Sequence, residues 1–444
     1  MAFEIEERTL QHLKKLISIN TSNPPGNESE AVAYISDVLK QVGIQPVVIE
    51  PQKGRGNCIV RLKGKGEKGG LLLNSHLDVV PAGNEKAWRN PPFSAADEGG
   101  FIWGRGAVDM KHMAAMMLAI VEEISLKGVA PRGDIVFVWT ADEERGGECG
   151  ARYLVQKHRD LLEAEYGIGE VGGFGLSLGG KTFIIVQTAE KGLCWFRLRT
   201  AGLSGHGSMP DPESSVAKIS RAIAALSDAK LPVHSTRTFS MFLESVITKA
   251  VPGPVGKFGK MAISAKLLKT IMRRFPNSKV VKGLWPMMAN TVAVTMLEAG
   301  DSPNVIPQEA TAVVDGRYLP GQTREGFLSE VTAVIGKDVD IEIIQEGEPF
   351  EVSSETELFR IIQETVERFE PRMNVVPFLN PGFTDGKWFS KLGIIWYGFT
   401  PLIGVSPEGW STFETIHAVN ERVPVELVKK GSRVLLKLIE SWMF

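Results

Sequence analysis

Two apolar runs set the frame of the chain. "GLLLNSHLDVV" (70–80) and "GDIVFVWTADEE" (133–144) are each too short for a helix and end in histidine or acids. Both read as buried parallel strands. Between them "MKHMAAMMLAIVEEISLKG" has helical spacing and stops at Gly128, giving strand, helix, strand with a right-handed crossover. Residues 6–19 and 29–43 predict two further helices around the turn-rich "NTSNPPGNES". Beyond Lys191 the pattern changes to longer alternating strands, such as "CWFRLRTAG" and "ATAVVDGRYLPG", with helices between, which predicts an antiparallel sheet layered with helices. Near residue 350 the α/β pattern returns. The expectation is an α/β domain made of 1–190 and 348–444, with 191–347 inserted as a second domain.

Composition narrows the class. At 444 residues and 43% hydrophobic content the chain buries a sizeable core, and 50 Lys plus Arg against 52 Asp plus Glu offer nothing to nucleic acid. Cys58, Cys149 and Cys194 are too far apart for a disulfide framework or a thiolate zinc knuckle. The first nineteen residues are charged and helical where a secretory signal needs an apolar segment, and no stretch is long enough to span a membrane. These features predict a cytoplasmic enzyme acting on a small ligand.

In parallel sheets ligands gather at the carboxyl ends of the strands, where the polar residues of both runs fall. Alone, His76 reads as a structural histidine. Asp78, two residues on along an extended strand, gives it the look of a metal ligand with its orienting carboxylate. Asp109 in "GRGAVDMK" is a helix cap or a ligand. Asp142, Glu143 and Glu144 crowd the end of a buried strand, which is unfavourable unless protons or cations compensate them. Glu170 in "IGEVGG" and His417 in "ETIHAVNE" complete a set. Mixed imidazole and carboxylate donors suit zinc first, then cobalt or manganese, over calcium or magnesium. Neither a G-x-S-x-G elbow nor a cysteine with a persuasive partner points to covalent catalysis.

"SHLDVVPAG", "WRNPPFSA", "GRGAVDMK", "ADEERGG", "GEVGG", "SGHGSMP", "SPNVIP", "DGRYLPG", "TDGKWF" and "IHAVNE" follow one another along nearly the whole chain. In that order they resemble the M20 metallopeptidases, the family of acetylornithine deacetylase, succinyl-diaminopimelate desuccinylase, aminoacylase and carboxypeptidases. The resemblance implies a homodimer with two metal ions per chain. Asp109 would bridge them, His76 and Glu170 would bind one ion, and Glu144 and His417 the other. It further implies Glu143 as general base, and His206 as an oxyanion donor reaching the neighbouring subunit. Asn304 and Arg317 would contact substrate, with Gly382 and Thr384 bordering the leaving side. The lesser alternative for Arg317 is a strand-surface ion-pair partner.

Two departures from the common pattern stand out. "DMKHMA" puts His112 near the metals, as an outer-layer group or an ordinary helix residue, and "TDGKWF" carries Lys387 where Arg is frequent. The stretch 246–288 places Met261, Ala265, Leu268, Met272 and Phe275 on one helical stripe and Lys266, Lys269 and Arg273 on another face. It reads as a core helix with a basic outer face, or as a membrane-surface helix. With "IHAVNE" and "YGFTPLIG" it resembles the carboxypeptidase S and N-fatty-acyl amino acid hydrolase branch, which shifts the expected substrate toward apolar acyl groups. The expected activity is hydrolysis of an N-acyl amino acid or small peptide with a free carboxylate. The alternatives are a dipeptidase or carboxypeptidase, an N-acetyl or N-succinyl deacylase, or a catalytically silent binding protein on the same fold.

Overall fold

A computed structural model describes residues 2–178, 180–250 and 283–444. The stripe from Met261 to Phe275 lies outside the described residues. The chain divides into two compact units: Met1–Thr188 with Val352–Phe378 and Thr384–Phe444, and Ala189–Glu351 with Leu379–Phe383. Fold class follows the sequence pattern, a mixed α/β unit and a layered α+β unit.

In the first unit Leu71–His76 lies at the middle of the sheet, parallel to Ile135–Thr140 on one side and Tyr166–Gly169 on the other. Ile395–Gly398 extends the parallel set beyond Tyr166–Gly169. Asn57–Leu62 closes the other side antiparallel. The register pairs Leu71 with Ile135 and His76 with Thr140, so both apolar runs end at one level and their polar successors meet there. Both strands are buried throughout, as expected of strands covered on both faces. The helix Lys111–Lys127 is buried on nearly every side from His112 to Val121, packs on the Leu71–His76 strand, and ends at Gly128 with φ +64°. The helices Ala2–Ser18 and Val425–Met443 pack on it in turn.

The second unit holds a four-stranded antiparallel sheet in the order Thr291–Ala299, Glu309–Tyr318, Gly192–Ala201, Asp340–Gly347. Strict alternation along Glu309–Tyr318 sends Ala310, Ala312, Val314 and Tyr318 into the core, with Phe196, Leu198, Phe327 and Val331. Thr311, Val313, Asp315 and Arg317 take the other face. Among the described residues no helix is long and apolar enough to cross a membrane.

Candidate metal centre

The carboxyl ends of three parallel strands deliver the cluster: His76 is the last residue of its strand, Glu170 follows Gly169, and Asp142–Glu144 follow Thr140 by two residues. Asp109 arrives on the turn before the helix Lys111–Lys127. Gly106 makes that turn at φ +84°, where an added Cβ would lie 2.6 Å from Val79 Cγ1. The residue capping the helix is Met110, with no side-chain cap bond, so the helix-cap reading of Asp109 does not hold. Its carboxylate is spent on two imidazoles: Oδ1 lies 3.0 Å from His76 Nε2 and Oδ2 lies 3.0 Å from His417 Nε2. His417 Nε2 is also 3.3 Å from Glu144 Oε2.

His76 Nδ1 donates to the backbone carbonyl of Asp78 at 2.9 Å. A carbonyl only accepts, so Nδ1 carries the hydrogen and Nε2 faces the cluster. The expectation that the Asp78 carboxylate orients His76 directly is thus modified. The strand ends at His76, and the Asp78 carboxylate stands 3.5 Å from Nδ1. It accepts instead from Asn23 Nδ2 (2.8 Å) and the backbone N–H of Glu143 (3.0 Å) and Glu144 (3.2 Å).

Among the described residues two groups of donors have atoms within 4.8 Å of one another: His76, Glu143 and Glu170; and His76, Asp109 and Glu144. Both adjacent glutamates therefore reach the cluster. Glu143 Oε1, Glu144 Oε1 and Glu170 Oε2 are buried without a hydrogen-bond partner. Burial, reinforced by neighbouring carboxylates, pushes Glu143 and Glu170 well above the usual carboxylate range and raises Glu144. Asp109 is held low: burial opposes this, but the contacts with His417 and His76 outweigh it. Unpartnered buried oxygens facing imidazole nitrogens across a few ångströms are a donor set that divalent cations satisfy, so the residues present fit the metal ions the sequence implies.

Residues beyond the sequence reading support the cluster. Glu421 Oε1 accepts from the N–H of Val108 (2.8 Å) and Asp109 (3.2 Å), while Oε2 accepts from Arg105 Nη1 (2.7 Å). Arg105 Nη2 donates to His417 O at 3.3 Å, so one buried ion pair ties the Asp109 turn to the His417 loop. Asp385 accepts from Thr140 Oγ1 at 2.7 Å and is raised by burial to about 7. His112 is buried and pushed down to about 4 by burial, so its ring is neutral and stands outside both donor groups.

In the second unit the strand pairing of Gly205–His206 with Val305–Ile306 brings His206 beside the Asn304 turn, where Gly207 N donates to Asn304 O at 2.8 Å. His206 is exposed. Its Nδ1 accepts from Ser208 N at 3.2 Å, which leaves Nε2–H as an outward donor. Arg317 forms a two-bond ion pair with Asp315, Nε to Oδ1 at 2.6 Å and Nη2 to Oδ2 at 3.0 Å, while Nη1 is buried without a partner. Gly382 N donates to Asn380 Oδ1 at 3.0 Å, and buried Thr384 accepts from Gly386 N at 3.1 Å.

The profile of Peptidase family M20/M25/M40 matches residues 72–441. The chain belongs to that family. Among curated relatives, N-fatty-acyl-amino acid synthase/hydrolase PM20D1 of Homo sapiens is 27% identical over 380 residues, covering 83% of this chain and 73% of the relative. Probable carboxypeptidase S-like 2 of Dictyostelium discoideum is 28% identical over 372 residues, covering 81% and 69%. Among solved structures, an M20 family metallo-carboxypeptidase, Sso-CP2 of Sulfolobus solfataricus, superposes with a TM-score of 0.74 at 20% identity over 98% of this chain and 99% of that one. As an M20 member the chain is a metallopeptidase-type hydrolase, in keeping with the fold and motif order.

Proposed function

We propose that this M20 hydrolase cleaves the amide bond of N-acyl amino acids, or of small peptides, that carry a free carboxylate. The observation that carries the reading is Asp109, each carboxylate oxygen of which faces a different imidazole at 3.0 Å. That arrangement supports a centre of two divalent ions, zinc first, with cobalt or manganese as alternatives. His76 and Glu170 would hold one, Glu144 and His417 the other, and Asp109 both. When bound, the ions supply Lewis-acid activation of the scissile carbonyl and of the attacking water. Glu143 would take a proton from the attacking water and pass it to the departing amine. Asp78 fixes the acid pair through the backbone N–H groups of Glu143 and Glu144 and aligns His76 through its carbonyl.

His206 would donate its Nε2–H to the developing oxyanion in the other subunit of a homodimer. Arg317, with one edge held by Asp315 and Nη1 unpartnered, would take the substrate carboxylate, and Asn304 would also contact substrate; Gly382 and Thr384 would border the leaving group. The likeness to a carboxypeptidase S-like protein supports a dipeptidase or carboxypeptidase as the second reading. The likeness to a human N-fatty-acyl-amino acid synthase/hydrolase favours apolar acyl groups.

A panel of N-acyl amino acids of increasing acyl length, with dipeptides alongside, tests the reading by release of free amine after zinc is added to chelator-stripped protein. Zinc-dependent release from acylated substrates is expected. Release from dipeptides alone would establish the second reading, and none from any substrate would leave a binding protein.

A further inference from the structure

The segment Thr21–Asn23 runs beside Leu77–Val79 as a short parallel pairing. Asn23 N donates to Val79 O (2.8 Å), Val79 N to Thr21 O (3.2 Å), and Thr21 Oγ1 to Leu77 O (2.7 Å). These bonds set the side chain of Asn23, which is 3% exposed, against the carboxylates of the metal cluster's supporting layer. Both hydrogens of its amide are used: Nδ2 donates to Asp78 Oδ2 at 2.8 Å and to Asp142 Oδ1 at 3.0 Å.

The two carboxylates it joins control different arms of the centre. Asp78 belongs to the His76 arm and also accepts from the backbone of Glu143 and Glu144. Asp142 opens the turn that carries those acids, and sits at φ +65°, a left-handed conformation that a non-glycine residue keeps only when its surroundings hold it there. They do hold it. Its Oδ1 also accepts from Arg55 Nη2 (2.9 Å) and its Oδ2 from Cys149 N (3.0 Å), while Arg55 is anchored by two 2.8 Å bonds to Glu28. Arg55 reaches Asp142 alone of the pair, so among the described residues Asn23 is the side chain that bonds both Asp142 and Asp78. Without its two donors, two buried carboxylate oxygens would face one another across the space of a single amide nitrogen.

We propose that Asn23 is a positioning residue of the centre: its amide sets the separation of the His76 arm from the Glu143–Glu144 arm, and thereby the affinity for metal and the aim of the base. The inference rests on the reading of the cluster as a metal centre. Asn23→Leu keeps the volume and removes both donors. Partners one layer outside metal ligands are worth about 10–100-fold in affinity or activity, and Asn23 stands one layer further out, so a roughly tenfold weaker zinc dissociation constant is expected. At saturating zinc kcat should fall several-fold with KM unchanged.

The readout is zinc competition against a chromophoric chelator, run beside the melting temperature of the metal-free protein. Leu13→Ala, in the buried face of the helix Ala2–Ser18, supplies a destabilised control that should melt lower yet bind zinc as the wild type does. Should Asn23→Leu fail to fold, Asn23→Ser retains one donor and should give an intermediate loss of affinity. Unchanged zinc affinity and kcat in whichever variant folds would overturn the proposal while the metal-centre reading stands. Absence of zinc binding by the wild type would remove both.

Discussion

Removing the Glu421 carboxylate separates two jobs that one side chain performs. It is fully buried, as is its partner Arg105, and it is the acceptor for Arg105 Nη1, Val108 N and Asp109 N. Glu421→Ala leaves a buried guanidinium without its carboxylate, against backbone carbonyls and the Trp88 ring, and two backbone N–H groups without their acceptor. Breaking a buried ion pair from one side costs about 3–5 kcal/mol. At about 2 °C per kcal/mol for a large domain, the metal-free melting temperature should fall by roughly 6–10 °C. Zinc affinity should fall too, because the Asp109 turn loses its anchor. The double variant Arg105→Met with Glu421→Leu removes the stranded charge and should regain most of the stability. It leaves the N–H groups of Val108 and Asp109 without an acceptor, so zinc affinity should stay low. Thermal melts of metal-free protein and chelator competition on the same samples read the two effects. A single variant melting within about 2 °C of wild type, or a double variant with wild-type zinc affinity, would refute the reasoning.

Arg317→Ala should weaken substrates with a free carboxylate far more than their amidated counterparts in kcat/KM, since the charge-assisted contact exists only for the former; equal losses would take Arg317 out of substrate binding. In the proposed homodimer, mixing inactive His206→Ala and Glu143→Gln proteins under subunit exchange should restore activity, because one site of each mixed pair then has both groups; persistent inactivity after exchange would confine His206 to its own chain. In metal-free protein, hydrogen bonds to Asp109 and Glu144 raise His417 from its ordinary 6.5 to about 10. The stability this contributes is present below pH 6.5 and is lost as pH rises toward 10. Zinc must displace that proton, so its affinity should rise with pH across the same window, by up to about tenfold per unit for each proton released, and a pH-independent dissociation constant would contradict the assignment.

The fold was legible because the strands of the first unit are continuous apolar runs and the helix Lys111–Lys127 is apolar on nearly every side from Met113 to Val121, patterns that survive without knowledge of partners. His76 and the acid pair were legible for a related reason, since charged groups at the ends of buried strands stand out against the run before them. The supporting layer was not. Arg105 and Glu421 lie 316 residues apart, and Asn23 meets Asp142 across 119, so no local spacing joins them. Asn23 sits in a turn-rich stretch where an asparagine needs no further explanation. The role of Asp78 shifted because its strand stops two residues early, which turns its carbonyl rather than its carboxylate toward the imidazole.

In the proposed centre His76, Asp109, Glu144, Glu170 and His417 hold the metal while Glu143 moves the proton. Measuring bound zinc and turnover together in Glu143→Gln tests this division directly. Zinc near two ions per chain is expected, with turnover reduced by at least about 100-fold, the scale of a lost general base. A variant that loses zinc as fully as His76→Ala, or one that keeps its turnover, would contradict the division of the two adjacent glutamates.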